Sequence, residues 1–249
     1  AQLPRADAKA LSLDGSGDYV TFDGEGLPKD NDSFTLEAWI NPTSIPAGGA
    51  SGGQITFWGN QTSDQSFNGN ITGEGELTKQ GEANLTLGNG SDFTGAANVQ
   101  DGTLTVSGAL ATNTINVANG ATLTTTAAEL LNDSATLTAD GTVNLGGNET
   151  IANLLGADTG EVNLGTNNLL LTGGVDFQGR INGDGGSVSA GPGNLVLGGE
   201  NTFTGLLNVL AGSTTPLDGS VDSDVTVDAG GELTLGSADH IADGSALNV

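Results

Sequence analysis

Short segments in which apolar and polar residues alternate recur along most of the chain. Residues 84–87 (NLTL), 103–106 (TLTV) and 114–117 (TINV) are typical examples. Alternate side chains of a β-strand point to opposite faces, so each segment predicts a short strand with one apolar face. A glycine closes many of these segments, and this favours a tight corner after each strand.

The predicted strands recur at an almost constant interval. Their leading apolar residues follow one another at intervals of 19, 19, 20, 19 and 19 along the sequence: Leu85, Leu104, Leu123, Val143, Val162 and Ile181. A later pair, Leu195 and Leu233, is two such steps apart. The step is too short for a helix plus a strand, but it accommodates one coil of two or three short strands. We therefore predict an all-β solenoid, a β-helix with coils of about 19–20 residues stacked about 4.8 Å apart.

A longer repeat is superimposed on the coils. The segment that begins at Gly69 returns at Gly179, and the same offset in numbering, 110, matches Phe93 with Phe203. By sequence the offset needs no gap, and it predicts two copies, residues 69–139 and 179–249. The residues shared by the copies are Gly81, Leu85, Leu87, Phe93, Thr94 and Gly95 in the first, and Gly191, Leu195, Leu197, Phe203, Thr204 and Gly205 in the second.

The polar candidates for chemistry in the first copy are not kept in the second. Lys79 is replaced by Ser189, and Asp92 by Thr202. What persists are residues of corners and of a stacked core. The repeat is therefore predicted to specify architecture rather than chemistry.

The start of the chain, residues 1–53, has a different pattern. Residues 10–23 and 33–42 alternate as strands, and a Gly-rich stretch that reads as a linker follows them. This opening resembles the start of laminin-G-like, concanavalin-A-like jelly-roll domains, but it is too short to form one. We predict a β-hairpin cap or a partial jelly-roll segment over residues 1–53, and the solenoid over residues 54–249.

Charge and composition exclude several classes of function. The chain has 30 acidic and 5 basic residues and a formal charge of −25, which repels nucleic-acid backbones. It has no Cys, which excludes disulfides and thiolate-bound metal. It also has no Met, so we expect a processed product or a fragment of a longer protein.

One motif resembles a known family. Residues 77–79 (LTK), 85–87 (LTL), 93–95 (FTG) and 102–106 (GTLTV), with Gly81, are similar to the passenger-associated transport repeat of autotransporter proteins. The resemblance extends over about residues 54–249. It implies a right-handed parallel β-helix that is secreted or displayed at the cell surface of a Gram-negative bacterium, in the outer-membrane context of an adhesin. It also implies that the repeats aid folding and export, and that a translocator barrel outside this chain is the partner.

The candidate chemistry is sparse. An enzyme would have to use the single histidine, His240, or the pair Arg180 and Asp184, as a β-helix polysaccharide lyase or hydrolase would. A binding module would use Asp218, Asp222 and Asp224, whose oxygens suit Ca²⁺.

A structural role needs neither set of residues. We therefore predict a stalk or scaffold of a surface adhesin, without enzymatic activity and without a required cofactor, Ca²⁺ being the one candidate cofactor. The alternative is an extracellular module that binds glycans or Ca²⁺. Its partners would be host or matrix glycans, or other surface proteins.

Overall fold

The computed structural model describes residues 54–57, 64–236 and 240–249, all within one compact unit. These residues form short strands and turns, and no helix occurs among them. In this part of the chain there is accordingly no helix that could cross a membrane. The predicted cap or jelly-roll segment, residues 1–53, lies outside the described residues.

The strands are short, and none exceeds the length of β20 or β23 below. The first nine are β1 (Gln54–Phe57), β2 (Gln65–Phe67), β3 (Thr72–Gly73), β4 (Glu76–Lys79), β5 (Asn84–Leu87), β6 (Asp92–Phe93), β7 (Ala97–Val99), β8 (Thr103–Val106) and β9 (Thr114–Val117). The next nine are β10 (Thr122–Thr125), β11 (Thr136–Ala139), β12 (Thr142–Asn144), β13 (Glu149–Ile151), β14 (Asn153–Gly156), β15 (Glu161–Asn163), β16 (Asn168–Leu171), β17 (Val175–Phe177) and β18 (Arg180–Gly183). The last nine are β19 (Ser187–Ala190), β20 (Gly193–Leu197), β21 (Glu200–Phe203), β22 (Leu206–Val209), β23 (Ser213–Leu217), β24 (Ser220–Val221), β25 (Asp224–Val227), β26 (Glu232–Leu235) and β27 (Leu247–Asn248).

The strands lie on three sides of the solenoid, which we call faces 1, 2 and 3, and they pair in parallel within each face. Face 1 has the order β1-β4-β7-β9-β11-β14-β17-β20-β23-β26, and face 2 the order β2-β5-β8-β10-β12-β15-β18-β21-β24. Face 3 comprises the pair β3-β6, two single bridge positions at Leu110 and Leu131, and the sheet β13-β16-β19-β22-β25-β27. The chain visits the faces in the order 1, 2, 3 in every coil, which gives about nine turns. The predicted parallel β-helix is confirmed.

The predicted coil spacing is confirmed on face 2. The six leading residues pair in one continuous column: Leu85, Leu104, Leu123, Val143, Val162 and Ile181. Face 1 is less regular. There Ile115 pairs with Leu137, a step longer than the face 2 interval, and Leu137 pairs with Leu154, a step shorter than it.

The longer step on face 1 contains a loop at residues 126–133. Its sequence has a helical appearance, but the structure forms bends and one turn there, as the shortness of the segment predicts. Glu129, at the centre of the loop, is the one non-glycine with a positive φ among the described residues (51°). A second segment of this kind, residues 237–243, lies partly outside the described residues.

The inward side chains of all three faces meet in one continuous apolar core. Ile115 on face 1, Leu123 on face 2 and Leu169 on face 3 are all at most 2% exposed. Each such side chain stacks on its equivalents in the coils above and below. Burying one contributes about 1.5–3 kcal/mol, so the coils stabilise one another through shared core contacts.

Candidate functional site

The most strongly repeated part of the chain is a segment that occurs twice without a gap. Residues 84–99 (NLTLGNGSDFTGAANV) form the first block, and residues 194–209 (NLVLGGENTFTGLLNV) form the second block. The first block contains β5, β6 and β7, and the second contains β20, β21 and β22. The two blocks therefore have the same strand–corner–strand organisation.

The apolar residues that the blocks share lie in the core. Each of the following is at most 2% exposed: Leu85, Leu87, Phe93 and Val99 in the first block, and Leu197, Phe203 and Val209 in the second. Leu195 lies in β20, paired with Val175. The shared Asn98 and Asn208 face outward and hydrogen-bond side chains of adjacent coils, Asn116 and Ser189 respectively.

The glycine of the Phe-Thr-Gly motif is required by close backbone approach. A Cβ atom at Gly95 would lie 2.2 Å from the carbonyl oxygen of Gly75. A Cβ atom at Gly205 would lie 2.3 Å from the carbonyl oxygen of Gly186. Both contacts are far inside van der Waals distance, so the coil can pass this corner only without a side chain.

The backbone hydrogen bonds of the blocks are equivalent, pair by pair. In the first block the N–H groups of Gly88 and Thr94 donate to the carbonyl oxygens of Phe67 (2.9 Å) and Gly73 (2.8 Å). In the second block those of Gly198 and Thr204 donate to Phe177 (2.8 Å) and Gly183 (2.9 Å). Donors and acceptors alike are related by the predicted offset. That offset therefore describes real structural equivalence.

Equivalent residues nevertheless lie on different faces of the solenoid. In the first block, β5, β6 and β7 occupy faces 2, 3 and 1; in the second, β20, β21 and β22 occupy faces 1, 2 and 3. The offset spans 17 strand positions, including the bridges at Leu110 and Leu131. Since 17 is not a multiple of three, the second block is rotated by one face.

Comparison with known families identifies the repeated segment. The model of the passenger-associated transport repeat matches residues 77–106 and 188–214, and both blocks lie within these ranges. The chain carries two passenger-associated transport repeats. Such repeats are typical of autotransporter passenger domains, so this solenoid is a passenger-type β-helix domain of a secreted or surface-exposed bacterial protein. No curated protein and no solved structure matches the chain.

The ungapped alignment of the two transport repeats is wrong at the first strand. Leu77 and Lys79 point inward in β4, and their counterparts in β19 are the buried Val188 and Ala190, one position beyond the offset that relates the blocks. The match to the repeat model begins at residues 77 and 188, with the same extra position. If the ungapped offset applied here, the outward Ser189 would have to point into the core. The alternation of inward and outward residues therefore fixes the alignment of β4 with β19. Lys79 therefore corresponds to Ala190, not to Ser189.

The counterpart of β8 in the second repeat, β23, is formed, although its sequence STTPL lacks the Leu-x-Val pattern of the TLTV strand in the first repeat. β23 pairs with β20 on one side and with β26 on the other. The side chain of Leu217, at the end of β23, is fully buried.

Lys79 has a structural role that its sequence position did not reveal. It is only 4% exposed, and its Nζ donates to the carbonyl oxygens of Gln80 (3.1 Å), Gly81 (2.6 Å) and Asp101 (3.0 Å). Burial lowers the pKa of the ammonium, while the Asp101 carboxylate opposes the shift. The cation thus holds together the corners of two successive coils.

Glu149 is a buried acid that the sequence analysis did not single out. It is 1% exposed at the start of β13, and its carboxylate accepts hydrogen bonds from the backbone N–H groups of Leu131 (2.7 Å) and Leu130 (3.4 Å). Burial raises its pKa to about 7, against the two hydrogen bonds, and the charges of Glu129 and Asp133 add to the rise. The one sequence signal for its burial was its position two residues before the inward Ile151, on the same side of the strand.

A third feature is a buried polar position shared by the repeats. Ser91 and Asn201 are 4% and 1% exposed. The N–H of Ile71 donates to Ser91 Oγ (3.4 Å), and the N–H of Ile181 donates to Asn201 Oδ1 (3.0 Å). The same backbone group of the preceding coil is therefore satisfied in both repeats by different side chains.

The three aspartates considered for Ca²⁺ occupy different parts of the coil. Asp218 lies in the corner between faces 1 and 2, Asp222 in the corner between faces 2 and 3, and Asp224 in β25. Asp224 Oδ1 accepts the N–H of Ala246 (2.7 Å). Among the described residues, no group of three or more acidic or histidine side chains is arranged to hold a metal.

The residues considered for catalysis lie on face 2 or in the corners beside it. His240 is buried, and its Nδ1 faces the carbonyl oxygen of Gly219. Arg180 begins β18, next to Glu161 in the strand register of face 2. Asp184 follows that strand and accepts a hydrogen bond from Thr204 (3.3 Å).

One shallow groove crosses face 1. It has a volume of about 310 Å³ and runs over the ends of β7, β9 and β11. Its polar lining comes from Asn98, Gln100, Asn116, Thr138 and Asp140. Amide, hydroxyl and carboxylate groups of this kind can hydrogen-bond sugar hydroxyls.

Proposed function

We propose that the chain is a structural stalk or scaffold of an autotransporter-type adhesin at the surface of a Gram-negative bacterium, and that its repeats promote folding and export. The observation that carries this proposal is the burial of the shared apolar residues. Leu87 and Leu197, and Phe93 and Phe203, are all in the core. What the two repeats have in common therefore builds coils.

The residues that differ between the repeats support the same view. The outward Thr86 and Asp92 of the first block become Val196 and Thr202 in the second. The outward asparagines that are kept, Asn98 and Asn208, hydrogen-bond side chains of adjacent coils and so contribute to stacking. We infer a domain without enzymatic activity, in which Lys79, Glu149 and His240 serve the fold.

Surface display in a Gram-negative host tests the proposal. An epitope placed before residue 54 in the gene that encodes the chain reports exposure on intact cells. Replacing Phe93 and Phe203 by Asp is expected to remove most of the epitope from the surface, because the coils cannot close around a buried charge. The exposed neighbours, changed as Asp92→Asn and Thr202→Asn, serve as the control. An unchanged surface signal for the phenylalanine variant would refute the role in export.

The groove on face 1 favours a second candidate, a glycan-binding module. In that case the purified chain binds immobilised glycans, and Gln100→Ala weakens the binding while Gln178→Ala, which is outside the groove, does not. Absence of binding across neutral and acidic glycans would exclude this candidate. It would leave the scaffold role as the sole proposal.

A further inference from the structure

The two repeats form the same contacts with the coil before them, although they lie on different faces. β5 pairs with β2 on face 2, and its counterpart β20 pairs with β17 on face 1. β7 pairs with β4 on face 1, and its counterpart β22 pairs with β19 on face 3. Pairing is parallel in every case, so only the face has changed.

Local contacts are also retained after the change of face. A Cβ atom at Gly69 would meet the ring of Phe67 at 2.7 Å, and one at Gly179 would meet the ring of Phe177 at 2.6 Å. The N–H of Ala118 donates to Val99 O, and that of its equivalent Asp228 donates to Val209 O, both at 2.9 Å. The equivalence therefore extends to the coils on both sides of each block.

A physical reason for this equivalence lies in the three faces themselves. Each presents a parallel edge with N–H and C=O groups at the same spacing, and each places small and medium apolar side chains inward. Leu137 on face 1, Val143 on face 2 and Val188 on face 3 are all at most 2% exposed. An incoming strand with alternating apolar residues meets similar chemistry on any face.

We propose that each repeat block is a portable coil-building unit whose binding partner is the exposed strand edge of the coil formed before it, whichever face that edge presents. The block carries its own corners, through Gly95 and Gly205, and its own core residues. It needs from the preceding coil only a parallel strand edge and an apolar interior. This inference rests on the proposed role of the repeats in folding, and it defines how they would act.

Tandem duplication within the full chain tests the proposal. Duplicating residues 85–194 directly after Asn194 joins the blocks at equivalent residues, and every duplicated strand then lies one face earlier than its original. Duplicating residues 77–194 at the same place puts Leu77 in the column of Leu195 on face 1, so each face is kept. Duplicating residues 86–194 omits one residue and inverts the alternation of the junction strand.

Hydrogen exchange with mass spectrometry distinguishes the variants, because duplicated peptides have identical masses. A folded copy beside an unfolded copy gives a bimodal isotope distribution. The face-rotating and face-keeping duplications are both expected to give one protected population, with thermal midpoints within about 5 °C of the parent chain. The one-residue slip is expected to be bimodal.

The proposal is overturned if the face-rotating duplication is bimodal while the face-keeping one is protected, since the faces would then be specific. It is also overturned if neither is protected, or if the slip is protected equally. The experiment uses purified protein and involves no export. A failure here with intact surface-display results, or the reverse, therefore separates this inference from the proposed function.

Discussion

Phe93 and Phe203 occupy the same place in two repeats, yet Phe93 pairs with Gly73 on face 3 and Phe203 pairs with Gly183 on face 2. Their exposed fractions are 1% and 0%. Equivalent phenylalanine side chains therefore enter the core from two different faces. Burial depends on position along the repeat and not on the face.

This equivalence predicts equal costs for the two truncations. Phe93→Ala and Phe203→Ala should each lower the free energy of unfolding by about 3–5 kcal/mol, because each leaves a cavity between coils. Denaturant unfolding followed by circular dichroism measures the loss. Asp92→Ala, at an exposed neighbour, should change stability by less than about 0.5 kcal/mol. A Phe203→Ala variant as stable as this control would contradict the packing described here.

The buried polar pair should behave unequally. Asn201 accepts the Ile181 N–H and donates to the carbonyl oxygens of Gly198 (2.9 Å) and Ser220 (3.0 Å), whereas Ser91 accepts one long hydrogen bond. Asn201→Ala should therefore cost about 2–4 kcal/mol, and Ser91→Ala about 1 kcal/mol, as unsatisfied buried groups accumulate. Thermal unfolding of the two variants gives the comparison, and equal shifts would argue against it.

Glu149 predicts a specific dependence of stability on pH. Its folded-state pKa is about 7, against a usual value near 4.5, so between these pH values the folded chain holds a proton that the unfolded chain has released. The stability that this bound proton contributes is fully present below about pH 4.5 and is lost as pH rises through 7. The free energy of unfolding falls by up to about 3 kcal/mol over this range.

The variant Glu149→Gln isolates this contribution from the general repulsion of the acidic chain. The amide oxygen can still accept the Leu131 N–H, but the side chain no longer ionises. We expect the variant to be more stable than the parent at pH 8 and similar to it at pH 4.5, in thermal scans across that range. Glu129→Gln, at an exposed carboxylate nearby, should retain most of the pH dependence. A Glu149→Gln chain with the pH profile of the parent would show that another group is responsible.

Lys79 should stabilise its corner through hydrogen bonds rather than through ion pairing. Lys79→Met keeps the length of the side chain but leaves three carbonyl acceptors without their donor. It should cost about 1–3 kcal/mol and increase hydrogen exchange around Gly81 and Asp101. Because the acceptors are neutral, the loss should hardly depend on salt. A loss that disappears at high salt would indicate an ion pair with Asp101 instead.

Much of the fold could be predicted from the sequence because the signal is local and repeated. The column from Leu85 to Ile181 on face 2 follows from alternation and constant spacing alone. The offset alignment failed at Lys79 because one extra residue before β19 is offset by one missing residue after it. The overall offset is unchanged, so a comparison without gaps does not detect the shift at this strand. Only the inward positions of β4 and β19 reveal it.

The polar interior could not be predicted with the same success. Glu149 and Lys79 lie at inward positions of their strands, but the alternation pattern does not predict which backbone groups they hydrogen-bond. Each has a partner, Leu131 and Asp101 respectively, that lies in an adjacent coil and is distant in sequence. The three candidate aspartates, by contrast, are near in sequence but are distributed over two corners and a strand.

The sequence by itself determined the strands, the glycine corners and the coil length, because each depends on the conformation of a few consecutive residues. Only the tertiary structure decided on which face each repeat lies. That depends on the sum of all strand positions between Phe93 and Phe203, including two single bridges that no local pattern marks. The sequence of the repeated block specifies one coil, and the number of strand positions before it sets the face on which it begins.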